Sequence, residues 1–270
     1  MVRHAARVRR ARRRGRALAR ACAPWLAPLL VATLAGGAAA RAAAQTLTLH
    51  YQERPPYSSA AGGAVDGLVA TPVATALAHA GIGFTWALTP SQRQLALIQS
   101  GTGLHCGVGW FRNAEREARG RFSIALYQDQ PFGALARAEA GLPAQTSAQS
   151  LLADRRFRLL IKDGYSYGPQ LDTLIERVRP RVVRTSVEPP QMARMLRSGR
   201  ADWMIVAPEE AASLAAGELV LVALAGMPPG PTRHLYCSRD LPDAWLARID
   251  AALASVAPTA GQPPALPAPR

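Results

Sequence analysis

The sequence predicts an α/β fold of two lobes, each a mostly parallel sheet flanked by helices. Three observations carry this. Short segments with strand alternation take turns with longer segments of helical period; that strand–helix alternation, which argues for parallel strands with helical crossovers, runs twice along the chain; and about 226 residues follow an N-terminal leader, enough for two lobes of ordinary size.

In order, Leu47-Thr-Leu-His-Tyr51 reads as a strand, and Glu53-Arg-Pro-Pro-Tyr-Ser58 ends it in a proline-fixed loop. Asp66-Gly67 introduces a helix over Leu68 to Ala80, which Gly81 stops. Phe84 to Leu88 is a strand, Ser91 to Gln99 a helix, and Leu104 to Trp110 the next strand. After Ala138-Glu-Ala-Gly-Leu-Pro143 the pattern restarts. Phe157 to Ile161 is a strand, Lys162 to Gly168 a glycine-bounded loop, and Pro169 to Val178 a helix with proline tolerated at its start. Arg181 to Val187 is a strand, Pro190 to Arg197 a helix, and Ala201 to Val206 a strand. Leu235 to Ser238 and a helix over Pro242 to Val256 close the fold, and the Pro/Ala-rich segment 257–270 is expected to be disordered.

The formal net charge of +14 suggests a nucleic-acid partner until the charge is located. Residues 1–44 hold ten arginines and no acid, so without them +14 falls to +4. That segment reads as a secretory signal: an arginine-rich start, an apolar run from Ala23, then small residues, with cleavage expected near Ala44 and a periplasmic product. A retained anchor is the competing reading, since Ala23 to Ala40 is nearly span length. The remaining arginines interleave with glutamates rather than forming a stripe, so nucleic acid is set aside. Cys106 and Cys237 remain in the exported chain, where they either pair in the oxidising compartment or stay as buried thiols.

Several ordered segments carry a resemblance. They are Tyr51-Gln-Glu-Arg-Pro-Pro-Tyr57, Asp66-Gly-Leu68, Glu115-Arg-Glu117 with Phe122-Ser123 and Tyr127, Asp163-Gly-Tyr-Ser166, and Gly199-Arg-Ala-Asp202 followed by Glu209-Glu210. In order and spacing, across Leu47 to Ala254, the chain resembles the bacterial extracellular solute-binding proteins of family 3, the polar amino-acid binders of ABC transporters with the type 2 periplasmic-binding fold. The resemblance implies lobe 1 from 45–135 with 232–256, lobe 2 from 136–231, and a two-segment hinge near Gly133 to Ala138 and Gly226 to Thr232. It also implies a monomer without cofactor or metal that captures a small carboxylate-bearing solute and presents it to an inner-membrane permease.

The family pattern places an arginine six residues before a phenylalanine, where it grips the ligand carboxylate; here Arg116 stands six before Phe122. A guanidinium is a planar fork that matches a carboxylate with two parallel bonds, which lysine cannot supply. Arg112 shares a helical spacing with Arg116 and is left open, whereas Arg119 and Arg121 read as solvated partners of Glu115 and Glu117. Ser166 either meets the same carboxylate at a helix start or caps that helix. Tyr57, Trp110 and Tyr165 either line the cleft or cover sheet edges. Glu53 and Arg54 share the first loop and could reach the cleft, but as lone charges they more often face water.

Two departures bear on the ligand. Gly109-Trp-Phe111 replaces the small hydroxyl residues usual before the arginine segment, and the position expected to hold a ligand ammonium reads Ala207-Pro208, with Glu209 and Glu210 just beyond. Glu209 is therefore the candidate acid, Asp202 is structural, and a small carboxylate without an amino group, or a larger aromatic one, stays open beside an α-amino acid. Two other functions compete: a sensory module for a separate signalling partner, and a dehydratase-like enzyme. His50, His79, His105 and His234 form no metal or nucleophile motif, which counts against catalysis.

Overall fold

The computed structural model describes residues 46–215 and 217–256, so the leader and tail expected from sequence lie outside the described residues. The first lobe begins with β1 (Leu47–Tyr51), a short hairpin of β2 (Ser59–Ala61) and β3 (Ala64–Asp66), α1 (Ala70–His79), β4 (Phe84–Leu88), α2 (Ser91–Gln99) and β5 (His105–Phe111). A single helical turn, α3 (Ala114–Glu117), leads into β6 (Arg121–Gln128). The chain then crosses to the second lobe as β7 (Gly133–Arg137), a 3-10 turn, β8 (Thr146–Ser147), α4 (Ala148–Ala153) and β9 (Leu159–Lys162). It continues as α5 (Pro169–Val178), β10 (Val182–Thr185), α6 (Pro189–Arg197), β11 (Trp203–Val206), α7 (Pro208–Leu214) and β12 (Leu219–Ala225). It returns as β13 (Thr232–Cys237) and α8 (Asp243–Val256).

The first sheet has the order β4-β1-β5-β13-β6 and the second β10-β9-β11-β7-β12-β8. β1 is parallel to β4 and β5, and β9 is parallel to β10 and β11. In each sheet the strand that arrives from the other lobe is the antiparallel one: β13 runs against β5 and β6, and β7 against β11 and β12. A chain entering from the cleft starts at the carboxyl edge of the parallel strands and must run away from it.

This corrects the expected boundary at 135. Gly133, Ala134 and Leu135 pair with β11 and β12, so the outward crossing lies at 129–132 and β7 is a strand, not hinge. The return crossing lies at 226–231. The two crossings touch: Asp129 N donates to Pro231 O at 3.3 Å and Gly230 N to Asp129 O at 2.9 Å.

Both sheets are buried by their helices. In the first lobe Leu47 and Leu49 pack with Val73 and Leu77 of α1 and Ile249 and Leu253 of α8. The second sheet is covered on both faces, so β9 is apolar up to Lys162 at its end and β11 is apolar throughout. Leu159, Ile161 and Trp203 face Leu151 and Leu171, whereas Leu160 and Met204 face Met192, Leu196 and Leu214. Cys106 and Cys237 sit opposite each other on β5 and β13 and are joined by a disulfide, which resolves the choice left open by the sequence.

Candidate functional site

The cleft between the lobes is built from the segments that leave the parallel strands, as expected for α/β sheets whose ligands sit at carboxyl ends. β1 is followed by Gln52, Arg54 and Tyr57; β5 ends in Trp110 and Phe111; β9 is followed by Tyr165 and Ser166; β11 leads to Ala207 and Glu210. The loop after β1 is fixed by its junction with α1. Val69 N and Ala70 N both donate to the Tyr57 carbonyl, and Gly67 adopts φ 137°. A Cβ on Gly67 would lie 2.3 Å from that carbonyl oxygen, so only glycine fits there.

Three arginines line this cleft, and they differ in their partners. Arg233, at the start of β13, is buried; its Nε and Nη2 each donate at 2.7 Å to the Asp129 carboxylate in the outward crossing. Its guanidinium carbon lies 3.6 Å from the Tyr57 ring centroid and 4.7 Å from that of Phe111, so it forms the floor. Arg54 crosses the cleft from the first lobe to α7, where Nε and Nη2 grip the Glu210 carboxylate at 2.6 and 2.7 Å. Its guanidinium carbon stands 5.4 Å from the ring centroids of both Tyr57 and Tyr165.

Arg116 is the exception. It is 5% exposed, yet among the described residues it has no carboxylate within ion-pair distance. Nη1 donates to Phe111 O at 2.8 Å, and Nη2 reaches across to Gly164 O in the second lobe at 2.9 Å. The Trp110 ring centroid lies 4.8 Å from its guanidinium carbon. Burial lowers its pKa, an effect the more distant Tyr236 and Asp172 only partly offset. A buried guanidinium held by carbonyls and a ring face is, among the described residues, a cation without its strongest kind of partner, a carboxylate.

Of the other residues expected from sequence, Tyr57 lines the cleft and is 1% exposed, and its hydroxyl is buried without a hydrogen-bond partner in the described residues. Trp110 donates Nε1–H to Gln94 Oε1 at 3.0 Å, which orients the ring under Arg116. Tyr165 donates its hydroxyl to Gln52 across the cleft at 2.9 Å, and burial pushes its pKa up to about 12. Ser166 also lines the cleft, but its hydroxyl donates to Asp172, and Asp172 accepts from Tyr167 N at 2.7 Å. The chain's own carboxylate therefore takes the start of α5.

Glu209 does not line the cleft. Its Oε1 accepts from Tyr127 OH at 2.7 Å and from Gln130 N at 2.8 Å, tying α7 to the outward crossing. Glu210, the next residue along the helix and so turned to another side, faces the cleft instead. Arg54 is likewise corrected from a solvated charge to a cleft residue. Both were missed for one reason: each is a lone charge until the fold brings it to its partner, 156 residues away. Arg112 pairs with Glu117 rather than sharing a face with Arg116, because α3 is one turn long. Arg121 pairs with Asp243, not with Glu117.

With this geometry in place, comparison with solved structures is informative. An ancestral arginine-binding protein bound to arginine superposes with a TM-score of 0.61 at 17% identity, covering 78% of this chain and 92% of that one. An amino-acid ABC transporter substrate-binding protein from Streptococcus pneumoniae, bound to L-arginine, gives 0.63 at 16%, covering 78% and 88%. A histidine kinase sensor domain with similarity to periplasmic binding proteins gives 0.63 at 20%, covering 78% and 90%. The chain has the two-lobe fold of type 2 periplasmic binding proteins. These neighbours are consistent with the family 3 resemblance of the sequence. No protein-family model matches the chain, and no curated protein matches it. Among the described residues no helix is long and apolar enough to cross a membrane.

Proposed function

We propose that this protein is an exported solute-binding protein that takes a small carboxylate between its lobes, with Arg116 as the clamp, and serves an ABC permease. One observation carries the reading: of three arginines in the cleft, Arg233 and Arg54 have carboxylate partners and, among the described residues, Arg116 has none. A carboxylate brought to it gains paired, charge-assisted bonds in a dry site and offsets the cost of burying the charge. Arg116 already bonds both lobes, so a ligand held there favours the state in which the lobes are together. The site supplies orientation and charge around Arg116, which suits the binding of an anion. Trp110 in place of a small hydroxyl residue, and Ala207-Pro208 in place of an acid, favour a carboxylate without an α-ammonium group.

The test is thermal unfolding of the purified protein against a panel of amino acids and small carboxylates. A ligand at a hundred times its dissociation constant adds about 2.7 kcal/mol, a rise of roughly 5 to 11 °C for a chain of this size. The rise is expected for a carboxylate and is lost in Arg116→Ala. A folded protein that no carboxylate stabilises overturns the proposal.

A further inference from the structure

The Arg54 contacts have the form of a cation site, with each ring also facing a nearer cation: Tyr57 the Arg233 guanidinium at 3.6 Å and Tyr165 the Lys162 ammonium at 4.4 Å. Two phenol rings, Tyr57 from the first lobe and Tyr165 from the second, stand 5.4 Å from one guanidinium carbon, and the Glu210 carboxylate receives both ends of its fork at 2.6 and 2.7 Å. Burial opposes the charge, but Glu210 and the tyrosines outweigh it, and the Arg54 pKa is raised. The arrangement needs nothing from Arg54 except its guanidinium. A free ligand with a guanidinium tail would use the same rings and the same carboxylate, and it would meet a residue already in place.

We propose that Arg54 is a specificity-determining plug: the chain's own guanidinium fills the cation-accepting recess of the cleft, so that ligands with a cationic tail are excluded and carboxylates without one are left. The exclusion is both steric and electrostatic. A cationic tail has to displace Arg54 from Glu210, and the displaced arginine stays tethered nearby as a second positive charge in the same low-dielectric space. Arg116 itself also borders a wider recess with Gly164, Ser166 and Asp172, so the exclusion acts on the cationic tail and not on the carboxylate. The carboxylate half of this inference rests on the function proposed above; the guanidinium half does not.

The test opens the recess in the full chain with Arg54→Ala and uses n-propylguanidinium, which carries no carboxylate, as the probe. The variant is expected to unfold at a lower temperature than wild type, to recover several degrees in millimolar n-propylguanidinium, and to lose that recovery when Glu210→Gln is added. Wild type should not respond, and n-propylammonium, lacking the fork, should restore less. L-Arginine should bind Arg54→Ala at least tenfold more tightly than wild type. If Arg54→Ala does not fold, Arg54→Ser, purified with and without the probe, gives the same comparison. A folded variant that ignores the probe, or a wild type that responds equally, overturns the proposal. Because the probe has no carboxylate, failure of the Arg116 reading leaves this result intact, and a negative result here leaves the Arg116 reading intact.

Discussion

At the residue scale, the cleft arginines differ in what burial costs them. Arg233 and Arg54 are each neutralised by a bidentate carboxylate, and Arg116 by none, so only Arg116 gains a new ion pair from a ligand. Arg116→Lys keeps the charge and loses the fork; ligand affinity is expected to fall about tenfold to a hundredfold by calorimetry, with folding unchanged. A second residue-scale prediction concerns pH. His50 Nδ1 contacts the Thr89 hydroxyl at 2.9 Å and Nε2 contacts His105 at 3.0 Å. Burial, with lesser contributions from His105 and Arg93, lowers its pKa from 6.5 to about 4. The unfolded chain therefore takes up a proton before the folded one does, and stability contributed by neutral His50 is lost as pH falls from about 6.5 through about 4. Midpoints measured across that window should drop less steeply in His50→Gln than in wild type.

At the element scale, the loop after β1 is held by its junction with α1. Gly67→Ala puts a Cβ against the Tyr57 carbonyl in a conformation that strains any L side chain. The variant should lose at least about 2 kcal/mol in denaturant unfolding, with Tyr57 and Arg54 displaced. Most elements were legible in the sequence because their signals are local. Strand alternation at Leu47–Tyr51 and Phe84–Leu88, the serine-started helix at Ser91–Gln99 and the proline-started helix at Pro169–Val178 all stand as predicted. β6, β7 and β12 were missed as strands, since each is defined by partners far along the chain rather than by bounding turns. Of the residues that the sequence and the resemblance pointed to, Arg116, Trp110, Tyr57, Tyr165 and Ser166 stand in the cleft. Glu210 was missed by one position, because spacing places the start of α7 but not the side of the helix that meets the cleft. Arg54 was missed because nothing in Glu53-Arg-Pro-Pro shows that Glu210 will stand opposite.

At the scale of the whole molecule, an ion pair anchors the outward crossing to the first lobe, and a disulfide ties the first-lobe strands on either side of the second lobe. The Asp129–Arg233 pair joins the outward crossing to β13, and both side chains are buried. Asp129→Asn leaves a buried guanidinium without its carboxylate and should cost about 3 to 5 kcal/mol, read as a lower unfolding midpoint. The Cys106–Cys237 bond closes a loop of 131 residues that contains the entire second lobe. By loop-closure entropy it contributes about 4 to 5 kcal/mol, so reduction should lower the midpoint of the first lobe and the second together. The lobes also meet through Tyr165 and Gln52 and through Ser213 Oγ, which donates to Pro55 O at 2.9 Å. The molecule is thus a cleft whose walls already touch, and among the described residues the buried Arg116 of that cleft has no carboxylate partner. The measurement that tests this most directly is isothermal calorimetry of a short carboxylate, such as lactate or propionate, into wild type and Arg116→Ala. The account predicts one-to-one binding to wild type and none to the variant. Equal binding to both, or binding to neither while both are folded, contradicts it.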